Sequence, residues 1–257
     1  MALYRLSATY VSRKNGTGRS AVAAASYQSR ERIYNERENR IYDYSNKSGL
    51  LHSEIRLPEN AQPQLSDRGI LWNAVEWAES RCNARTAREL ILALPRELTL
   101  PDWIDMVTEF ITENFIKHGM IADFAIHEGD HSDNPHAHLL LTTREVCPNG
   151  FGAKNRDWDK KERLIQWREN WAIAQNRIFM LKGLDIRVAH KSYQRRDIDR
   201  IPTYHLGPVL SAMERRGTNT LWGDVNREIE KRNREHEEQN RQRVQEYQQS
   251  RGRERGR

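Results

Sequence analysis

The chain has 257 residues, with 42 Lys and Arg against 36 Asp and Glu, and a formal net charge of +6. Hydrophobic residues make up 37% of it, enough for a substantial core in one large domain or in one domain with an extension, although the mean hydropathy of −0.91 marks much of the chain as solvated. The positive balance points to an anionic partner, and because no apolar run approaches the roughly 20 residues that cross a bilayer, membrane insertion is excluded as an expectation.

The first residues, Met1 to Thr9, lack the apolar core of a signal peptide, so a cytosolic protein is expected. Residues 2 to 11 read as a first strand, rich in aromatic and β-branched side chains. A basic loop, Ser12 to Arg19, follows with two glycines, and Ser20 is placed to cap a small-residue helix over 21 to 30. Residues 64 to 88 carry Leu71, Trp72, Val75 and Ala78 at helical spacing. Glu89 to Pro95 is an apolar run ended by proline and is expected as a central strand. An amphipathic helix is expected over 100 to 118, with Pro101 in its first turn. Ile121 to His127 and the run continuing through Leu139 to Thr143 read as two strands of a hairpin, joined by the turn-rich Glu128 to Pro135.

A further helix is expected over 158 to 182, and Ile186 to Val188 reads as an edge strand. From Asp224 charge alternates and apolar residues thin out. Residues 224 to 257 are therefore expected as a charged helical or disordered tail behind a domain of residues 1 to 223, ending in an Arg-Gly run. Cys82 and Cys147 form no metal motif and are expected as free thiols.

The chemistry concentrates in one stretch. His136 and His138 open a strand, and residues two apart on a strand face the same side. His127 ends the expected partner strand, so three imidazoles converge on one point, a donor set suited to a divalent metal. The same stretch contains His127-Glu128-Gly129-Asp130-His131, which matches the zinc-protease pattern H-E-x-x-H. That pattern requires a helix. Strand-like alternation before it, glycine inside it and Asp133-Asn134-Pro135 after it argue against one.

Three neutral imidazoles leave coordination positions open for a substrate oxygen, and in a basic protein that oxygen is naturally a phosphate's. A phosphodiester is attacked by water or by a side chain. Tyr27, on the small-residue helix, is a candidate when the product stays attached, although as one of nine tyrosines it reads equally as a packing residue.

Taken together, Gly18 to Tyr27, the Asn83-Ala84-Arg85 to Pro95 block, Ala125-Ile126-His127, Asn134 to His138 and Tyr204 to Pro208 resemble the MobA/MobL (MobQ-class) plasmid relaxases of the HUH endonucleases. The likeness to relaxase domains of TraA-type conjugative proteins is especially strong and covers residues 1 to 220. It implies an α/β fold with a central antiparallel sheet of about five strands flanked by helices. It also implies metal-dependent, site- and strand-specific nicking and rejoining of DNA at a plasmid transfer origin, through a 5′-phosphotyrosine on Tyr27. His127, His136 and His138 would hold Mg²⁺ or Mn²⁺, and Glu89 would orient a histidine or receive the tyrosine proton. By pattern alone, Glu89 could equally be a solvated strand end.

The implied partners are single-stranded DNA at the nick site, auxiliary relaxosome proteins and a coupling protein. The implied location is the bacterial cytoplasm, with the plasmid-encoded protein travelling with the transferred strand. DNA contacts are expected from Arg13, Lys14, Arg19 and Arg30 around the nucleophile helix and from Lys191, Arg195 and Arg196, which read equally as solvated basic loops. The family pattern has Arg after the tyrosine and Ala before it. Here these are Gln28 and Ser26; neither change is expected to touch the chemistry, and DNA contacts are where either could act. The alternatives are a rolling-circle replication initiator of the same superfamily and a non-catalytic DNA-binding regulator. An intact Tyr27 with three histidines argues against the regulator, which needs none of them.

Overall fold

The structure, a computed structural model, describes residues 4–13, 18–129, 134–204 and 206–255. They divide into two compact units, residues 1–190 and 191–257.

The first unit is built on a five-stranded sheet in the order β1-β5-β7-β6-β4, with every neighbouring pair antiparallel. The strands are β1 (Leu6–Ser12), β4 (Leu50–Arg56), β5 (Arg85–Ala93), β6 (Ala122–His127) and β7 (His136–Thr142). Two short hairpins stand apart from it: β2 (Arg32–Asn35) with β3 (Arg40–Asp43), and β8 (Arg144–Cys147) with β9 (Gly150–Lys154).

Strand alternation sorts side chains onto two faces. Leu90, Leu92, Phe124, Ile126, Leu139 and Leu141 meet α3 (Leu100–Asn114) and α4 (Lys161–Leu181) in the larger core, with Trp167 and Trp171 from α4. Val11, Ala87, Ile121 and Leu140 meet α1 (Ala21–Ser29) and α2 (Arg68–Ala78) on the opposite face. Helix α1 buries almost every side, as its Ala, Val and Ser content allows, and leaves Tyr27 37% exposed.

Several expectations change. The helix expected over 64 to 88 is a short 3-10 turn at Pro63–Ser66 and then α2, and β5 begins at Arg85, four residues before the expected start. The charged run Arg85 to Glu89 hides strand character because Arg88 is buried and paired with Asp159. Ile186 to Val188 forms no strand. The Asn176 side chain instead binds both the amide and the carbonyl of Val188, supplying the partners a neighbouring strand would. Strands β2, β3 and β4 have no counterpart in the sequence reading. Cys82 and Cys147 are free thiols.

The second unit holds α5 (Gly207–Arg215) and α6 (Leu221–Arg255), so the stretch from Asp224 lies inside one helix that runs to Arg255. The segment preceding α5 is zipped along α6 by side chains seven residues apart. Asn226 binds the amide and carbonyl of Tyr204, and Asn233 does the same for Ile201. No helix of the described residues is long and apolar enough to cross a membrane.

Candidate metal centre and nucleophile groove

The β6–β7 hairpin sets the histidines. His127 lies directly opposite His136, and His138 follows two residues along the same face. The three ring centroids are 4.9 to 5.6 Å apart, and one ligand atom from each lies within 4.8 Å of the others. The hydrogen bonds assign the tautomers. His136 Nδ1 donates to the Asn134 carbonyl at 2.7 Å and frees Nε2, while His127 Nε2 donates to the Gln28 carbonyl at 2.7 Å and frees Nδ1.

The Nε2 atoms of His136 and His138 are 3.1 Å apart. That is close to the separation of two nitrogens each about 2 Å from a shared ion. Two imidazole lone pairs at that spacing repel unless a proton or a cation sits between them. Burial keeps both rings neutral: it pushes His127 down to about 4 and His138 to about 3, with the neighbouring histidines and Arg30 adding to it. The neutral, metal-binding form therefore prevails at neutral pH for both. The residues fit a divalent ion.

A tight backbone supports this arrangement. Gly129 has φ +81°, and a Cβ there would lie 2.5 Å from the Asn134 carbonyl oxygen, the acceptor that orients His136. The same backbone excludes the protease pattern, because His127 ends a strand and Gly129 is left-handed. His131 lies outside the described residues.

Helix α1 docks against this hairpin through Gln28. Its side chain donates to the Asp123 carbonyl and its own carbonyl receives His127. Ser26 donates to the carbonyls of Glu31 and Tyr42. Both departures from the family pattern are thus buried packing residues. The helix N-terminus is fixed by Glu76, whose carboxylate accepts from the Ala21 amide and pairs with Arg13. Arg13 therefore serves this buried pair.

Tyr27 projects from α1 into a groove of about 310 Å³ lined by Gly18, Arg19, Ser20, Ala23, Ala24, Tyr42 and Tyr44. Its ring is ringed by cations. The Arg30 guanidinium lies 4.5 Å from the ring centroid and the Lys47 ammonium 4.8 Å, and Arg19 is within electrostatic reach. Arg30 also lies 3.5 Å from His127 Nδ1, which ties Tyr27 to the histidine cluster. Its backbone is left-handed at φ 59°, where it ends α1.

Glu89 lies on β5, where its carboxylate engages Arg19, a residue that lines the groove, at 2.7 Å and accepts from Thr9; among the described residues no histidine bonds to it. Lys14 lies outside the described residues. Lys191, Arg195 and Arg196 are exposed in the second unit, the last two on a 3-10 turn. The sequence reading missed Tyr42, Tyr44 and Lys47. Their only signal is the aromatic and basic Arg40-Ile41-Tyr42-Asp43-Tyr44 run ahead of Lys47.

The chain is similar to known proteins. The chain is 36% identical over 249 residues to a probable conjugal transfer protein TraA of Sinorhizobium fredii, covering 85% of this chain and 22% of that protein. It is 34% identical over 249 residues to the mobilization protein MobL of Acidithiobacillus ferridurans, covering 84% of this chain and 65% of that one. The chain thus spans about a fifth of the TraA relative's length. A solved structure described as "Molecular Basis of Vancomycin Resistance Transfer in Staphylococcus aureus" superposes with a TM-score of 0.69 at 39% identity, over 75% of this chain and all of that one. A family model for MobA/MobL matches residues 19–216, more than half of the sequence, and with these relatives it places the chain in the MobA/MobL family.

Proposed function

We propose that this chain nicks and rejoins one DNA strand at a plasmid transfer origin, with Tyr27 as nucleophile and His127, His136 and His138 as the holders of Mg²⁺ or Mn²⁺. The observation that carries the reading is Arg30, which touches both the Tyr27 ring and His127. A phosphate bound at the histidines is thereby within the same cationic pocket as the phenol.

When bound, the divalent ion polarises the phosphoryl oxygens of the scissile phosphate. The chain's own groups do the rest. Tyr27 Oη forms the new bond to phosphorus, the bond to the 3′ oxygen breaks, the phenol proton is lost to water in the open groove, and the 3′ oxygen takes up a proton. The product is a 5′-phosphotyrosine and a free 3′-OH. One phosphodiester replaces another, so the reverse step rejoins the strand without ATP. Arg19, Arg30 and Lys47 offset the charge that gathers on the phosphate. Glu89 acts through Arg19 as a positioning residue, holding the guanidinium toward the groove. Residues outside the pocket, among them Lys191, Arg195 and Arg196, contact the DNA backbone.

Auxiliary relaxosome proteins and a coupling protein complete the assembly, in the bacterial cytoplasm, and the covalently attached protein travels with its strand. The test is direct. A labelled single-stranded oligonucleotide from the transfer origin of the protein's own plasmid, incubated with Mn²⁺, gives an adduct that survives a denaturing gel, and Tyr27→Phe abolishes it. An adduct that persists in the Phe variant rules out Tyr27 and turns attention to Tyr34, Tyr42 and Tyr44.

A further inference from the structure

The turn that joins β3 to β4 is built with more constraint than a connection needs. Asp43 accepts from both the amide and the hydroxyl of Ser45, at 3.0 and 2.6 Å, and the Lys47 amide closes onto the Tyr44 carbonyl at 3.0 Å. Two residues on, the Gly49 carbonyl accepts from Glu128, and Leu50 pairs with His127. The turn therefore bridges the nucleophile groove and the strand end that carries the first histidine.

Its two functional side chains face Tyr27. The Tyr44 ring meets the Tyr27 ring edge-on at 5.3 Å and 85°. The Lys47 ammonium stands 4.8 Å from the Tyr27 centroid and 5.7 Å from that of Tyr44. Lys47 is exposed, and among the described residues no carboxylate pairs with it. Tyr44 is half-buried and lines the groove beside Tyr42. A rigid aromatic face with an unpaired cation next to it matches the two repeating parts of a single strand, a base with a π-face and a phosphate.

We propose that Tyr44 and Lys47 form a nucleotide subsite beside Tyr27, in which Tyr44 stacks on a base flanking the scissile phosphate and Lys47 holds that nucleotide's phosphate. This rests on the reading of the chain as a transesterase acting on single-stranded DNA. It adds that the β3–β4 turn, a segment with no strand pattern in the sequence, sets the position of the DNA chain relative to the phenol.

The test is binding of the full chain to a fluorescent single-stranded oligonucleotide spanning the nick site, by anisotropy, in EDTA so that no strand is cut. Two further oligonucleotides carry an abasic position immediately 5′ or 3′ of the scissile phosphate. One of the two should weaken wild-type binding by about 5-fold or more, the range of a single base–aromatic stack. Tyr44→Ala should weaken binding of the intact strand by a similar factor and show no abasic penalty, while Tyr44→Phe, which keeps the ring and the fold, should behave as wild type. Lys47→Ala should reduce the slope of log K against log salt by about 0.7. Wild-type affinity in Tyr44→Ala, or an abasic penalty that persists in it at the same position, overturns the subsite and leaves the nuclease reading standing. A wild-type chain with no affinity for the origin strand removes both.

Discussion

The imidazole of His136 is oriented by one backbone carbonyl, that of Asn134, and that carbonyl is placed by one glycine. Gly129→Ala adds a methyl 2.5 Å from the Asn134 oxygen at φ +81°, so the loop must move. Loss of such an outer partner lowers metal affinity by about 10- to 100-fold. We expect Gly129→Ala to weaken Mn²⁺ binding by that range in calorimetry. Gly183→Ala, with φ +68° and open space around it, should share the backbone strain and leave Mn²⁺ binding unchanged. Equal affinities in the two variants would remove Asn134 from the design of the site.

Residues of this kind separate what sequence reveals from what it hides. The three histidines are legible because strand periodicity and one hairpin fix their mutual placement. Tyr44 and Lys47 are not, because the β3–β4 turn is brought to Tyr27 only by tertiary packing; Arg30 is expected from sequence beside the Tyr27 helix, but its contact with His127 needs α1 docked on the hairpin. Glu89 is intermediate. Its strand is readable, but its partner Arg19 lies 70 positions away.

At the scale of elements, the same contrast appears. Helix α3 is announced by its capping residues: Thr99 and Asp102 form a capping box, with Pro101 in the first turn. Strand β4 is not announced, because Leu50–Arg56 is an edge strand of mixed polarity with no buried stripe. The cap also reaches beyond its own helix. Asp102 binds Lys182, just past the end of α4, and that bond with those from Thr99 holds its carboxyl down to about 2. In the unfolded chain the carboxyl takes its proton near its ordinary pKa of about 3.9. The unfolded state therefore gains protons first as pH falls, so the Asp102 contribution is complete above about 4 and is lost as pH falls toward about 2. We expect Asp102→Asn to lower the urea midpoint at pH 7 and to converge on the wild-type midpoint near pH 2. A gap that stays constant across that window would show that the carboxylate's charge is not what ties α3 to α4.

At the scale of the whole molecule, the net charge of +6 points to an anionic partner but not to the cations that would meet it. Sequence proximity to the Tyr27 helix selects Arg13, yet its side chain is 10% exposed and locked onto Glu76, whose side chain is 3% exposed and also caps α1. Removing one partner of such a pair leaves an uncompensated buried charge, which costs on the order of 3 kcal/mol. Arg19 is 53% exposed and faces the Tyr27 groove. The two arginines flank one short loop and should separate in two measurements. Arg13→Ala should lower the urea midpoint strongly and leave the salt dependence of single-strand binding unchanged, because no counterion is released at a buried pair. Arg19→Ala should reduce the slope of log K against log salt by about 0.7, the single-strand value for one phosphate contact, with a smaller loss of stability. If Arg13→Ala reduces the slope as well, the Glu76 pair opens when DNA binds, and the N-terminus of the nucleophile helix is part of the DNA surface.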